Sequence, residues 1–525
     1  MIKRQRARTY ENSQEEIVNF LAEGGVLSSG PVQHIQTHIS HIFLTEDRAF
    51  KMKRAVSLNF ADLRQKEQRH AASLVEFRLN RRTTHELYLG WRSVYRDGSH
   101  LAVGALHTSA EEAPQHDPLE YLVEMARFSE ADLLSNRVLN KDVPPHTFDK
   151  VCEEIIQFHD KAEHRLDCGG FSAMRDNVAN IHANLATYGA HLFTAEQVEN
   201  WYACIVVLLD QHANLLNKRR ERGFVRQCHG DLHLANIYLD NGQPRLFDCI
   251  DFSEELACID VLYDLAFLLM DLMHRGLEAE TSALLNRYLA ATLDYDAVSL
   301  LPLFVSVRAA IRAMIGAIDA TEHPSDHHHA QDARAHFELA LACLQEEPLA
   351  QIIALGGYSG TGKSALAKSL AAMAPLHAFV LSSDVIRKRQ FGATPEQKLP
   401  KAAYASARSA DVYDQLMADI EILAQAGVVV IADATFLQAL GREQLEEIAE
   451  RIGIPFTGCW LDLPLEAALQ RVTGRHHDPS DADEAVLRAQ RKETPGMINW
   501  VKLDASAPDL PNLILPLTPP GRGQT

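Results

Sequence analysis

The sequence predicts two folding units of different classes, an N-terminal α+β part and a C-terminal α/β part with a parallel sheet. Its 525 residues exceed what a single hydrophobic core supports. Residues 119–340 have a mainly helical pattern, broken by a segment of loops and strands from Phe224 to Phe252. In contrast, the apolar run Ile352–Leu355 leads directly into a glycine-rich loop and a helix, as the first strand of an α/β domain does. The predicted bounds are 1–345 for the first domain, 346–350 for a linker, 351–508 for the second domain and 509–525 for a loosely ordered tail.

Composition favours a globular protein of the cytoplasm. The hydrophobic content of 46% is ordinary. No apolar run approaches the roughly 20 residues that cross a bilayer, and the N-terminus lacks the apolar core of a secretory signal. Eight scattered cysteines without a C-x-x-C pair argue against a disulfide framework and against a zinc site. The His327–His329 triplet has no spaced carboxylate or cysteine partners, and we expect it in a solvated loop.

The charge of the chain argues against a large nucleic-acid footprint, because neutralising phosphates requires an excess of Lys and Arg. The net charge is −19, and residues 350–525 hold 17 Lys/Arg against 20 Asp/Glu. The acidity is therefore concentrated in the first part, where it suits a cationic or neutral substrate or simply maintains solubility. We expect small hydroxylated substrates, no membrane and no nucleic acid. The sequence carries no signal of oligomeric state.

The first part begins with short β-like runs followed by a long helical pattern over Phe60–Leu79. Within Ala49–Val56, Lys51 and Lys53 lie on one face of a strand, because side chains alternate along it. One of the two lysines is expected to pair with the α- and β-phosphates of a nucleotide. Glu76 in the following helix is the candidate for the ion pair that fixes this lysine.

A loop with the spacing D-x-x-x-x-N carries the chemistry of the first part. Asp231 and Asn236 lie in His229-Gly230-Asp231-Leu232-His233-Leu234-Ala235-Asn236. Phosphoryl transfer needs such a pair, an Asp that accepts or orients the proton of the acceptor hydroxyl and an Asn that binds Mg²⁺. Asp248 ends the next strand-like run and is favoured as the second Mg²⁺ ligand, with Asp251 as the competitor.

These motifs resemble the aminoglycoside phosphotransferase family over about residues 25–345. The likeness is carried by H-G-D-L-H-x-x-N, by F-D-x-x-D-F and by the run from Asp260 to Ala266. It implies a protein-kinase-like fold with a small β lobe and a helical lobe. It also implies Asp231 as catalytic base, Asn236 and Asp248 as Mg²⁺ ligands, and Lys51 with Glu76 as the phosphate lysine and its partner. The loop expected to cover the phosphates, from Gln36 to Ser40, contains no glycine.

The second part carries a complete P-loop, G-x-x-x-x-G-K-S, between an apolar strand and a helix predicted over Ser364–Met373. Backbone amides of such a loop cradle phosphates, Lys363 reaches the β- and γ-phosphates of ATP, and Ser364 binds Mg²⁺. The residues expected to contact the nucleotide are Gly357, Ser359, Gly360, Thr361, Gly362, Lys363 and Ser364.

Further candidates follow the next two strands. Asp384 and Arg387 end the run Phe379–Ser383, at the strand end where substrates bind in doubly wound sheets. Asp384 is a candidate base for an acceptor hydroxyl, and Arg387 a contact for the acceptor or the transferred phosphate. Asp433 ends the strand Val428–Ile431 in a Walker-B-like position near the metal. Arg471 and Arg475 lie four residues apart and are expected to close over the phosphates.

The second part resembles small P-loop kinases such as gluconate kinase and the polynucleotide kinase and zeta toxin group, with a three-layer α/β/α fold. The pattern of the whole chain is similar to bacterial fusion proteins of an aminoglycoside phosphotransferase-like domain and an ATP-binding domain. The resemblances imply a bifunctional kinase that uses ATP and Mg²⁺ to phosphorylate alcohols. Two alternatives are a C-terminal kinase gated by a non-catalytic N-terminal domain, and a kinase of nucleic-acid ends.

Overall fold

The computed structural model describes residues 14–23, 25–58, 61–345, 350–474 and 479–514. The chain folds into two compact units. The first unit comprises Met1–Met174 with Leu216–Leu268, and the second comprises Arg175–Leu215 with Leu269–Thr525. The predicted domain bounds stay a prediction, because packing units and sequence domains need not coincide. Residues 346–349 of the predicted linker lie outside the described part of the chain.

An antiparallel sheet of six strands forms the β part of the first unit, in the order β1-β2-β3-β8-β6-β7. Phe50 and Met52 of β3 point into the core, so Lys51 and Lys53 lie on the opposite face. The strands are β1 (Gln33–Gln36), β2 (Ser40–Leu44), β3 (Arg48–Lys53), the short pair β4 (Ser57–Leu58) and β5 (Ala61–Asp62), β6 (Tyr88–Asp97), β7 (His100–Val103) and β8 (Pro118–Ala126).

Helices and two small antiparallel strand pairs complete the first unit. The hairpin of β10 and β11 is closed by Asn241 and Gly242, whose φ angles of 50° and 76° suit a two-residue turn. The strands of the two pairs are β9 (Val225–Gln227), β10 (Ile237–Asp240), β11 (Gln243–Leu246) and β12 (Cys258–Asp260). The helices, two of which continue into the second unit, are α1 (Glu15–Ala22), α2 (Lys66–Asn80), α3 (Leu134–Leu139), α4 (Thr147–Lys161), α5 (Gly170–Tyr188), α6 (Ala195–Glu221) and α7 (Glu254–Ala257).

Helix α2 begins at Lys66, six residues later than the pattern predicts. Gln65 and Gln68 form a reciprocal capping box that starts the helix there. The preceding residues pair instead as β4 and β5.

The second unit contains long helices that precede the parallel sheet. Helix α8 (Val261–His274) enters it from the first unit, and α9 (Glu278–Thr292), α10 (Leu301–Glu322) and α11 (His327–Gln345) follow. Residues Tyr295–Glu322 contain an 18-residue stretch with a mean hydropathy of 1.7, which suffices by length and composition to cross a membrane and differs from the expectation that the chain holds no such run. However, 67% of that stretch is buried inside the protein, as in a core helix.

The His327–His329 triplet lies in the first turn of α11, so its prediction as a loop is wrong. The Asp326 carboxylate accepts a hydrogen bond from the backbone N–H of His328, which caps the helix start. The side chains of His327 and His328 are exposed, and that of His329 is partly so.

Five parallel strands form the sheet of the second unit, in the order β14-β15-β13-β16-β17. The central strand β13 is buried along its whole length, as expected for a parallel sheet covered by helices. The α+β and α/β classes predicted from the sequence are thus confirmed. The strands are β13 (Gln351–Gly357), β14 (Ala378–Ser382), β15 (Val429–Asp433), β16 (Phe456–Asp462) and β17 (Val501–Asp504).

Seven helices accompany this sheet in the described residues, and the last of them lies in the tail that was predicted to be loosely ordered. The last helix, α18, lies within the predicted tail, and its Ile514 is fully buried in the core beside Leu366 and Leu503. The described start of the tail is therefore packed. The helices are α12 (Lys363–Ala372), α13 (Ser383–Gln390), α14 (Ser406–Gln425), α15 (Ala439–Ile452), α16 (Leu465–Thr473), α17 (Glu484–Gln490) and α18 (Leu510–Ile514).

Candidate active sites

A network of five charged side chains lies on the face of β3 opposite Phe50 and Met52. Lys51 Nζ is 2.6 Å from Glu76 Oε1 and 2.6 Å from Asp248 Oδ1. Lys53 Nζ is 2.8 Å from Glu76 Oε2 and 2.5 Å from Asp251 Oδ2. Glu76 of α2 thus joins both lysines, and each lysine has its own aspartate.

The sequence did not decide between Lys51 and Lys53, or between Asp248 and Asp251. The exposure of the side chains distinguishes the two lysine–aspartate pairs. The side chain of Asp248 is 46% exposed, whereas that of Asp251 is 4% exposed. Burial raises the pKa of Asp251 to about 7, although Lys53 opposes this shift. Burial alone would lower the pKa of Lys51, but Asp248 and Glu76 raise it well above its usual value. The Lys51–Asp248 pair therefore faces the open site, and the Lys53–Asp251 pair lies sealed behind it.

The hairpin of β10 and β11 brings Asn236 and Asp248, the two residues expected to bind Mg²⁺, to the same end. Ile237 pairs with Leu246, and the N–H of Phe247 donates to the carbonyl of Asn236 at 3.1 Å. Asn236 and Asp248 therefore lie at the same end of this hairpin. The Asn236 side-chain amide donates to both the carbonyl and the carboxylate of Asp231, each at 2.9 Å. The carboxamide oxygen is therefore the group of Asn236 that could hold a metal ion.

Asp248 has the left-handed backbone conformation, with a φ of 63° that is unusual for a residue other than glycine. Its N–H donates to the Tyr88 hydroxyl at 3.3 Å, and His229 Nε2–H donates to the carbonyl of the preceding Phe247 at 2.9 Å. Strained conformations of this kind are retained mainly at functional sites. The conformation is consistent with a role for Asp248 in the site.

The catalytic loop is held by Asp264, which lies in the motif after Asp260 but was not predicted to act in the site. The fully buried Asp264 carboxylate accepts from the N–H groups of His229 and Gly230 at 3.0 and 2.8 Å. His159 Nε2 is 3.1 Å from the same carboxylate. Gly230 has a φ of 82°, and a Cβ there would lie 3.0 Å from the Leu256 carbonyl oxygen. The loop backbone thus needs both the glycine and the buried anchor.

The position of a phosphate-covering loop is occupied by the turn between β1 and β2. Thr37 and Ser40 close this turn through N–H and side-chain hydrogen bonds. Arg54 donates to the carbonyls of Thr37 and His38. The turn is therefore braced by side chains and lacks the glycines that commonly approach phosphates.

The P-loop of the second unit connects the central strand β13 to α12. Gly357, Gly360 and Gly362 all have positive φ, and a Cβ on Gly360 would lie 2.7 Å from the carbonyl oxygen of Ala468. Thr361 Oγ1 donates to the Tyr358 carbonyl at 2.9 Å, and the N–H of Ser359 donates to Gln490 Oε1 at 2.9 Å. Gln490 is a further residue of the site that no sequence motif indicates.

The candidate metal side of this site joins the first turn of α12 to the end of β15. Ser364 Oγ donates to Asp433 Oδ2 at 2.7 Å, although 69 residues separate them. Lys363 Nζ donates to the Tyr358 carbonyl at 2.9 Å, so its ammonium group lies over the loop. The oxygen atoms of Ser364 and Asp433 in this site, and those of Asn236 and Asp248 in the first, are of the kind that Mg²⁺ prefers as ligands. Both donor sets therefore fit Mg²⁺.

Asp384 and Arg387 lie in the first two turns of α13, directly after β14. Burial raises the pKa of Asp384, and Asp433 raises it further, while a hydrogen bond from Ser480 and the charges of Lys363 and Arg387 oppose the rise. Arg387 is buried, donates to the Ala403 carbonyl at 2.7 Å and stacks over the Tyr404 ring. Asp384 thus lies in the field of both the P-loop lysine and the metal-side aspartate.

Of the two arginines expected to close over the phosphates, Arg471 lies within the described residues. Arg471 donates to the carbonyls of Thr361 and Ala505, both at 3.2 Å, so it lies against the P-loop backbone. Arg475 lies outside the described residues. Asp481, not recognised in the sequence, accepts from Lys388 and Tyr404 and so ties the segment after α16 to the acceptor side.

Comparisons with known proteins agree with this division of the sites. Residues 99–301 match the family model of the phosphotransferase enzyme family, and residues 352–495 match a model of the AAA domain. An uncharacterized protein of Mycobacterium tuberculosis strain H37Rv and one of Mycobacterium bovis are each 26% identical over 484 residues, covering 90% of this chain and 92% of the relative. The chain thus carries a phosphotransferase-family region followed by a P-loop kinase-like region.

Two solved structures are similar to different parts of this chain. A choline/ethanolamine kinase family protein from Mesorhizobium loti is 14% identical, covers 64% of this chain and 95% of its own, and has a TM-score of 0.38. A gluconokinase from Sinorhizobium meliloti 1021 is 20% identical, covers 31% of this chain and 86% of its own, and has a TM-score of 0.22.

Proposed function

We propose that the protein is an ATP-dependent phosphotransferase with two nucleotide sites, each transferring the γ-phosphate of ATP to a hydroxyl group of a small molecule. The observation that carries the proposal is that each site holds an aspartate in contact with a candidate Mg²⁺ ligand of the same site. Asn236 contacts Asp231 at 2.9 Å in the first site, and Ser364 contacts Asp433 at 2.7 Å in the second. Neither arrangement needs a residue of the other site.

In the first site, Asp231 orients the acceptor hydroxyl and takes its proton. Asn236 and Asp248 would hold Mg²⁺, which would neutralise charge on the phosphates. Lys51, held by Glu76, would bind the α- and β-phosphates. The buried Lys53–Asp251 pair fixes Glu76 from behind.

In the second site, the P-loop amides and Lys363 bind the phosphates, while Ser364 and Asp433 would hold Mg²⁺. Asp384 takes the proton of the acceptor hydroxyl. Arg387 and the pair Arg471 and Arg475 stabilise the charge of the transferred phosphate. The net charge of −19 favours small acceptors over nucleic acid, and we place the reaction in the cytoplasm.

A second candidate function is a C-terminal kinase gated by an N-terminal unit that binds nucleotide or ligand without turnover. The glycine-free turn between β1 and β2 favours it. The complete set of Asp231, Asn236 and Asp248 favours two active sites instead.

The test is ADP formation by the full chain against a library of small hydroxylated metabolites. Asp231→Asn silences the first site, Lys363→Ala the second, and the double variant is the control. We expect one set of acceptors to require Asp231 and another to require Lys363. Activity that depends on Lys363 alone supports the gated kinase, and ADP formation equal to the double variant for every acceptor refutes the proposal.

A further inference from the structure

Helix α9 contacts the second site although it lies inside the phosphotransferase-family region. That region ends at residue 301, and α9 spans Glu278–Thr292. The helix belongs to the second unit and packs against α12, β14 and α13. These three elements carry Lys363, the start of the acceptor side, and Asp384 with Arg387.

The first contact fixes the backbone of β14. Asn286 Oδ1 accepts from the N–H of Val380 at 2.7 Å. The Asn286 amide nitrogen donates to the Ser282 carbonyl and hydroxyl at 2.8 and 3.3 Å, which sets the orientation of the carboxamide. Val380 lies four residues before Asp384, so α9 fixes the strand from which the acceptor helix begins.

The second contact is a two-pronged ion pair beyond the acceptor helix. Arg287 Nη1 and Nη2 donate to Glu396 Oε1 and Oε2 at 2.8 and 3.3 Å. The two side chains are 15% and 30% exposed, so the pair is partly shielded from water. Paired geometry of this kind is more directional than a single contact. The pair anchors the loop that follows α13.

The third contact holds α13 itself. Arg389 donates to the Ala290 carbonyl at the end of α9 and to the buried Asp419 carboxylate of α14. Tyr295, just after α9, is buried beside the same Arg389 and Asp419. Arg389 lies five residues after Asp384, so all three contacts converge on the segment that carries the acceptor-side residues.

We infer that Asn286 and Arg287 are positioning residues for the second site: α9 holds β14, α13 and the following loop so that Asp384 and Arg387 face the P-loop. The inference rests on the proposed function of that site. The second site would then depend on α9, which lies outside the family match that begins at residue 352.

The test uses the full chain with Asp231→Asn in every variant. Arg287→Glu and Glu396→Arg each place like charges opposite each other, and the double exchange restores the pair. Arg334→Glu, on the exposed side of α11, is the control for the same change of charge in the same unit. Hydrogen exchange of residues 383–390 and hydrolysis of Mg-ATP, with water as acceptor, are measured for each.

We expect each single variant to increase exchange of residues 383–390 by roughly threefold or more, and the double exchange and the control to match the parent. The kcat of hydrolysis should fall with the KM for ATP unchanged, and the double exchange should restore it. Unchanged exchange in both single variants, or no recovery in the double exchange, refutes the inference. If Arg287→Glu prevents folding, Glu396→Gln supplies the same comparison. Altered exchange in the single variants upholds the positioning role even where the parent hydrolyses no Mg-ATP, and the proposed function is then judged by the acceptor screen described above.

Discussion

Asp384 shows how the position of one residue sets its chemistry. It follows β14, whereas the P-loop follows β13, so it approaches the nucleotide from a different strand of the sheet. Ser364 contacts Asp433, not Asp384. We therefore propose different aspartates for the acceptor and metal roles.

We expect Asp384→Asn to leave the affinity for Mg-ATP nearly unchanged. Phosphorylation of the acceptor of the second site should fall by about 10²–10⁴, the usual loss for a general base. Asp433→Asn is the matched control and should weaken nucleotide binding and Mg²⁺ dependence together. Titration of a fluorescent ATP analogue and steady-state kinetics distinguish the variants, and exchanged phenotypes would show that the roles are reversed.

As the proposed base, the same residue should give the reaction a pH dependence. Because burial raises the pKa of Asp384, the carboxyl takes up a proton at higher pH than an exposed aspartate does. The base is active only when ionised, so turnover should decrease as the pH falls through this raised pKa. The acid limb of the pH–rate profile should disappear in Asp384→Asn, and a limb that persists there belongs to another group.

Sequence alone could identify the residue types of both sites but could not choose between neighbours. Lys51 and Lys53 satisfy the same alternation, and their different exposure follows from α2 and from the segment of Asp248, which are distant in sequence. Asp264 was visible in a motif, but its role depends on accepting from backbone N–H groups 34 and 35 residues away. Such contacts leave no local pattern.

At the scale of elements, the catalytic loop depends on a glycine for two separable reasons. Gly230 has a φ of 82° and close neighbours, whereas at Gly242, with a φ of 76°, an added Cβ would meet no atom of the described residues within 4 Å. Replacing Gly242 therefore measures the free-energy cost of the left-handed backbone conformation alone.

We expect Gly242→Ala to cost about 1–2 kcal/mol, the penalty of a left-handed backbone. Gly230→Ala should cost roughly 1–3 kcal/mol more, because Ile250 and the Leu256 carbonyl must move. Hydrogen exchange of β8 measures the opening of the first unit in each variant. Equal losses would mean that the loop accommodates the methyl group.

Elements that form from contiguous residues were predicted well, and those that depend on distant packing were not. The strand, P-loop and helix around Lys363 follow one another directly, so their order was evident from the sequence. The contact between Asn286 and Val380 spans 94 residues and has no motif. The packing of α9 against the parallel sheet therefore became visible only in the structure.

For the whole molecule, the membership of α9 in the second unit implies thermodynamic linkage. A ligand that binds the folded state stabilises every element that unfolds with the site, by about 2.7 kcal/mol at 100 times its Kd. Saturating Mg-ATP should therefore slow hydrogen exchange in α9 as well as in α12. Lys363→Ala should abolish both effects, and exchange in α9 that ignores the nucleotide would contradict a shared cooperative unit.

The position of β14 at the end of the sheet order has a consequence for dissecting the protein. An edge strand offers unpaired backbone groups to any other chain, and Asn286 occupies one of them at Val380. A chain cut near the predicted linker would keep the P-loop but lose α9, and with it the cap on the Val380 N–H of this edge strand. Intermolecular strand pairing and aggregation are the expected fate of such a fragment, so the P-loop region is best produced together with α9.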